Sequence, residues 1–337
     1  MSKREKFVEI FKVPPAMVPY LDLVVSEQEL DLIVGLDDRA LTLDQVAEMM
    51  GISREEAGQL LGGAFHREII NRETGEGVTT YSAGDFYNRM DIWTSYETES
   101  WGALPGWVRN AVSEWQLGEW FKLWTPAFEK IAKDPDTWVR MKNRDVLLLE
   151  ESFELVEATD YICVLPCPCK TTLMPGSRVI EGSMRVGERA RLTLERGQGR
   201  RLTTEEAKAH LIACDRAGLV HTGLREWKKN DPQLEWMSHG NCSPYYSFPM
   251  RAGMRLGLAK KYPRAHYVAG VDWDACVHCG VCMVRCPFGA FYHDGADLWV
   301  HGERKPQVKY DAEKCWGCGL CANTCPVEAI TMEPLAA

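Results

Sequence analysis

No stretch of this 337-residue chain approaches the roughly 18 consecutive apolar residues that a membrane-crossing helix needs, so no span is expected. The opening Met1-Ser-Lys-Arg-Glu-Lys-Phe7 carries charge with no apolar run behind it and is not read as a signal peptide. Nucleotide chemistry is equally short of support. There is no Gly-x-Gly-x-x-Gly after a strand, no Walker loop and no Ser/His/Asp signature. The nearest candidate, Arg196-Gly197-Gln198-Gly199, offers two isolated glycines in a basic loop, so no place to take up a hydride is legible. Positive charge is scarce as well. Lys and Arg number 39 against 48 Asp and Glu, and the net charge of −9 argues against a nucleic-acid partner. Otherwise the composition, 45% hydrophobic and 26% charged, is that of an ordinary globular protein with room for two or three domains.

Cysteine is what the chain has in quantity. Eight of its thirteen cysteines form two runs near the C-terminus. The first is Cys276-Val-His-Cys279-Gly-Val-Cys282-Met-Val-Arg-Cys286-Pro287, the second Cys315-Trp-Gly-Cys318-Gly-Leu-Cys321-Ala-Asn-Thr-Cys325-Pro326. Zinc knuckles also use C-x2-C pairs, but a duplicated four-cysteine run ending each time in Cys-Pro is a different pattern. It resembles the bacterial ferredoxin module that holds two [4Fe-4S] clusters. The resemblance implies that Cys276, Cys279, Cys282 and Cys325 hold one cluster, and that Cys315, Cys318, Cys321 and Cys286 hold the other. Two-residue gaps let three sulfurs of one tight loop reach three irons, while Gly280 and Gly319 let the backbone curl around the core. Oxygen-sensitive clusters and thiols in cluster spacing point to a reducing cytoplasm, in an anaerobic or microaerobic cell.

The expected architecture is α+β in four parts. Residues 1–90 read as winged-helix-like. Ser26-x-x-Glu29, Thr42-x-x-Gln45 and Ser53-x-x-Glu56 are capping boxes opening helices near 27–35, 43–50 and 54–63, with Gly51 at a bend. Segments 68–72 and 77–81 read as a hairpin wing. Four basic residues against eight acids between Leu41 and Met90 favour a protein-docking surface over a DNA reader. Residues 91–144 form a tryptophan-rich segment with an amphipathic helix across 111–124 and a turn at Lys133–Asp136. Residues 145–269 read as an α-rich middle domain of α/β character. It has buried segments at 146–149 and 161–165 and a helix from Thr204 to Ala217 ended by Gly218. Residues 270–337 are the ferredoxin-like dicluster domain, with a hairpin over 290–301 turning at Asp294-Gly295 and a further strand at 307–311. This acidic domain, with five basic and nine acidic residues, suits a basic partner.

A second resemblance covers 161–242. Tyr161-Ile-x-Val-x-Pro-Cys167-x-Cys169-Lys170, Gly199-x-x-Leu-Thr-x-Glu-Glu-Ala207, Ala217-Gly-Leu-Val-His221 and Asn241-Cys242 are similar to the middle region of a loose family of multidomain (4Fe-4S)-binding proteins. That family has a cysteine-rich string where this chain reads Asn241-Cys-Ser-Pro-Tyr-Tyr246. Cys167, Cys169 and Cys242, joined by His239 or His221, are therefore candidates for a third site holding zinc or a further iron–sulfur cluster. The alternative is that they are ordinary buried thiols. Cys163 and Cys214 are expected in the core, the latter beside His210, while His278 and His293 flank the clusters. The basic stretch Lys170–Arg201 reads as a docking face for an acidic carrier or as a solvated loop.

The function these readings favour is one-electron transfer between a reduced carrier, ferredoxin or flavoprotein, and a partner oxidoreductase, with a homo- or hetero-oligomer as the setting left open. An enzyme with an open cluster at Cys167, Cys169 and Cys242, and a redox-responsive winged-helix regulator, are the alternatives.

Overall fold

The computed structural model describes residues 1–133, 143–173, 181–228, 231–258, 260–300 and 302–335. Residues 134–136 of the expected turn, Trp138 and Arg178 lie outside them. The chain divides into two compact units. The first comprises Met1–Leu123 with the returning segments Cys167–Ser177 and Arg196–Gln198, and the second comprises the remainder.

In the first unit, α1 (Lys3–Ile10) and a 3-10 segment (Pro15–Leu23) lead into α2 (Glu27–Leu36), α3 (Leu43–Met50) and α4 (Arg54–His66). The capping boxes at Ser26, Thr42 and Ser53 all form, each side-chain oxygen accepting the N3 amide while the N3 side chain accepts the cap's own N–H. Gly51 ends α3 in the left-handed region at φ +66°. A hairpin follows, β1 (Ile70–Gly75) against β2 (Val78–Ala83). Then come α5 (Phe86–Tyr96), α6 (Thr98–Gly102) and α7 (Gly106–Lys133), whose residues from Trp124 onward count with the second unit. Trp93 and Trp101, both buried, meet edge to face at 5.2 Å inside a core built from α1, α2, α4 and α5. Beneath it sits a buried ion-pair cluster. Arg89 donates to Glu97 at 2.6 Å and to the Val24 carbonyl, and Arg67 bridges Glu97 and Glu29. Such pairs are stable only when every charge keeps its partners.

The second unit holds a six-stranded antiparallel sheet beside the helices expected of the middle region. Its elements are β3 (Asn143–Val146), α8 (Leu149–Glu157), β4 (Ile162–Leu165), then α9 (Pro168–Leu173), which counts with the first unit. After it come β5 (Ser183–Val186), α10 (Gly187–Glu195), β6 (Arg200–Leu202), α11 (Thr204–Arg216), β7 (Val220–Lys228) and β8 (Asp231–Cys242). The strands lie in the order β3-β7-β8-β5-β4-β6. Four of them are only three or four residues long, too short to print an alternating pattern, so helix dominates the sequence signal. Ile162, Val164, Met184 and Val186 on one face pack against Leu155 and Val156 of α8 and Ala207 and Leu211 of α11. Cys163 and Leu165 on the other face pack against Ala190 of α10.

After α12 (Phe248–Arg255), β9 (Tyr267–Val271) pairs with the last strand, β12 (Ile330–Pro334), closing the two ends of the cysteine-rich module on each other. Between them lie α13 (Val281–Arg285) and a hairpin of β10 (Phe291–Val300) with β11 (Glu303–Tyr310). The expected turn at Asp294-Gly295 is corrected. Gly295, at φ +94°, lies within β10 where the register shifts between His293 and Asp297, and the chain reverses after Val300. An Asp-Gly pair supplies a positive φ for a bulge as well as for a turn.

Candidate metal centre

Each cysteine run is a loop folded back on a short helix or turn, and the two runs interleave. Cys286, Cys315, Cys318 and Cys321 line one small cavity with Phe288, Phe291, Trp316 and Met332. Cys286 thus leaves its own run and stands with the second one. In the first run, Cys276 and Cys279 act electrostatically on Cys282, whose thiol is pushed up to about 11 by burial first and by those two neighbours next. In the second, burial, then Cys315 and Cys286, push Cys321 up to about 12, and Cys318 rises for the same reasons. Buried thiols this close to one another stay protonated unless a cation takes the place of their protons. Cys325 packs in the module's core beside Cys282 and Cys286 and accepts the Ala329 N–H at 3.3 Å. Two further amides point at sulfur, Ala290 to Cys286 at 3.3 Å and Gly317 to Cys315 at 3.4 Å. Such donors stabilise thiolate and raise the potential of a cluster bound there.

The two sets differ in exposure. Cys315, Cys318 and Cys321 are buried, whereas Cys279 is exposed and Cys276, Cys282 and Cys325 are intermediate. Val284 on α13, beside the open set, is 88% exposed. The covered set owes its burial to the sheet domain, because Cys318 and Leu320 pack in one apolar cluster with Val146, Val220 and Met250. Two glycines of the second run, both in the left-handed region, sit close to their neighbours. A Cβ on Gly319 would stand 2.9 Å from Leu148, and one on Gly317 only 2.2 Å from the Tyr267 carbonyl. Trp316 seals the edge, stacked on Phe288 at 4.8 Å. Among the described residues of this unit, no three His, Cys, Asp or Glu side chains converge on a single ion. The four thiols of Cys286, Cys315, Cys318 and Cys321 around one cavity are a donor set that fits an iron–sulfur cluster.

The remaining candidates fall elsewhere. Cys167 and Cys169 belong to the first unit and Cys242 to the second. Cys242 meets Thr222 at 3.4 Å and borders the apolar cluster that contains Cys318. His221 and His239 lie on the opposite face of the strands, toward Asn241 and Ser152, because successive strand residues alternate sides. They are not neighbours of the Cys242 thiol. Cys214 is buried and pairs with His210 at 3.5 Å, and Cys163 is buried with its thiol pushed up by desolvation. His278 accepts the Val308 N–H at 3.1 Å, tying the inserted hairpin to the first run, while His293 donates to Ala296 within its own strand. Several described side chains of the basic stretch have acidic partners or are buried. Lys170 is buried, Arg191 pairs with Glu188 and Glu195, Arg196 with Glu68, and Arg200 with Glu181.

Asp215, Arg285 and Asn323 were not singled out by sequence reasoning. Asn323 donates to the Asp215 carboxylate at 2.9 Å, and Arg285 donates to the Asp215 and Arg216 carbonyls at 2.6 and 3.0 Å. These contacts fasten the end of α11 to both cysteine runs, across a sequence separation that no local pattern reveals.

Among known protein families, the model of the 4Fe-4S dicluster domain matches residues 269–332. No curated protein matches the chain. Residues 269–332 are thus a 4Fe-4S dicluster domain, and an iron–sulfur electron-transfer role attaches to this part of the molecule. Among the described residues, no helix is long and apolar enough to cross a membrane.

Proposed function

We propose that the chain carries single electrons between a reduced carrier and a partner oxidoreductase through two [4Fe-4S] clusters. One is held by Cys276, Cys279, Cys282 and Cys325, the other by Cys315, Cys318, Cys321 and Cys286. The observation that carries this reading is the cavity that Cys286 lines together with Cys315, Cys318 and Cys321, which supports an exchange of the fourth ligand across the 28 residues between the runs. When bound, the clusters supply reversible one-electron chemistry, and the protein supplies burial, N–H donors to sulfur and position. The open set is the natural meeting point with an external carrier, a ferredoxin or a flavoprotein. The covered set directs the electron toward the sheet domain.

The helices α2 to α4 with the β1–β2 hairpin support a winged-helix reading of the N-terminal part. Its acidic α4, with Glu55 and Glu56 in the first turn, favours a protein partner over DNA.

The test is the crossing of ligands. Cys286→Ser and Cys318→Ser, prepared anaerobically, should lose the same cluster and leave matching paramagnetic spectra after reduction. If Cys286→Ser instead matches Cys282→Ser, the ligand assignment fails.

A further inference from the structure

Beneath α8 and α11, on the sheet face turned away from Cys242, lies a fully buried polar group that electron transfer by itself does not require. His221 is 0% exposed and His239 1%. The hydrogen-bond network assigns their protons. His221 Nδ1 faces the Asn241 amide oxygen at 2.9 Å, and that oxygen only accepts, so Nδ1 carries the hydrogen and Nε2 is bare. Ser152 donates its one hydrogen to the Leu148 carbonyl, so His239 Nε2 donates to Ser152 at 3.0 Å and its Nδ1 is bare. Neither bare nitrogen has a partner, nor does Asn241 Nδ2. Moreover, the bare His221 Nε2 stands 3.9 Å from the Asp215 carboxylate, with Asp215 itself 5% exposed. Two acceptors face each other there in a low dielectric, a gap that a proton would convert into an ion pair.

We infer that His221 is a proton-loading site coupled to reduction of the C-terminal module, with Asp215 linking it to both cysteine runs through Asn323 and Arg285. The inference goes beyond the proposed electron-transfer function and rests on it. One electron passes to the module from an external one-electron donor, which is oxidised. One proton then leaves solvent hydronium, which becomes water, and bonds to His221 Nε2, so the buried interior gains no net charge. The charged and titratable neighbours are Asp215, His210 and Cys214 on α11, Glu150 on α8, Arg144 on β3, His239 on β8 and Arg285. Burial holds His221 below the ordinary histidine value, while Asn241, Asp215 and Glu150 pull it back up. His239 is pushed well below by burial, then by His221, His210 and Arg144, which leaves His221 as the acceptor.

The experiment is a redox titration of the anaerobically loaded full chain at several pH values. One proton per electron lowers the midpoint potential by up to about 59 mV for each tenfold fall in proton activity. We expect that slope over part of the range between pH 5 and 9, and its loss in His221→Gln. A flat potential in the loaded wild type, or an unchanged slope in His221→Gln, overturns the inference while leaving the electron-transfer reading intact. A chain that holds no reducible cluster overturns both. Should His221→Gln fail to load, reduced-minus-oxidised infrared spectra of wild type with isotope-labelled histidine decide the matter. A neutral imidazole becoming protonated on reduction supports the proposal, and absence of any histidine band sinks it.

Discussion

Gly51 and Gly317 share a backbone angle, φ +66°, yet replacing each by alanine should have very different consequences. An L-residue in the left-handed region costs about 1–2 kcal/mol wherever it sits. At Gly51 nothing lies within 4 Å of the added Cβ, so that cost is the whole effect. At Gly317 the Cβ would stand 2.2 Å from the Tyr267 carbonyl oxygen and 2.9 Å from its carbon. Tyr267 cannot yield easily, because β9 is pinned to β12 from Tyr267↔Pro334 to Val271↔Ile330. The loop between Cys315 and Cys318 must therefore move by most of an ångström, taking the Gly317 amide off the Cys315 sulfur. We expect Gly51→Ala to keep its full iron and lose about 1–2 kcal/mol of stability. Gly317→Ala should lose about half its iron, with the missing cluster that of Cys315, Cys318, Cys321 and Cys286. Iron and sulfide per chain, with thermal melts, distinguish the two. If Gly317→Ala retains all its iron and melts with Gly51→Ala, the argument from close backbone approach is wrong.

Other expectations follow from particular contacts. Glu97→Gln strips the buried Arg89 of its carboxylate and should cost about 3 kcal/mol at neutral pH, measured by urea unfolding. Burial alone would raise the Glu97 pKa, but Arg89 and Arg67 hold it below the ordinary range. Its stabilisation is therefore full above the usual glutamate value of about 4.3 and lost as pH falls through the depressed folded one. Glu97→Gln should be less acid-sensitive than wild type between those values, and equal acid sensitivity would contradict the pairing. Cys163→Ser, buried on the sheet face away from α8 and α11, should lower stability without changing iron content, in contrast to Cys318→Ser. Finally, duplex DNA should show no salt-dependent binding even at low ionic strength. Affinity that falls steeply with added salt would favour the regulator instead.

What the sequence disclosed is what local chemistry writes down. A capping box needs its two residues three apart, so Ser26, Thr42 and Ser53 announced α2, α3 and α4 nearly to the residue. A cluster loop needs fixed cysteine spacing, so the two runs were legible before any fold was known. The six-stranded sheet was not, because β3, β4, β5 and β6 are too short to show period-two alternation. Asp294-Gly295 misled because a bulge and a turn make the same demand on glycine. The link from Asp215 to Asn323 spans 108 residues, and only tertiary packing brings such groups together. His221, His239 and Cys242 illustrate the middle case. Counting alternate residues along β8 would have separated His239 from Cys242, but that requires knowing that the segment is a strand.

The most direct test of the central claim is a joint determination of iron, acid-labile sulfide and zinc on anaerobically purified protein, followed by paramagnetic resonance after reduction. At least about eight irons and eight sulfides per chain are expected, with the spectrum of two neighbouring reduced [4Fe-4S] clusters. Zinc in place of iron, or iron without sulfide, would contradict it.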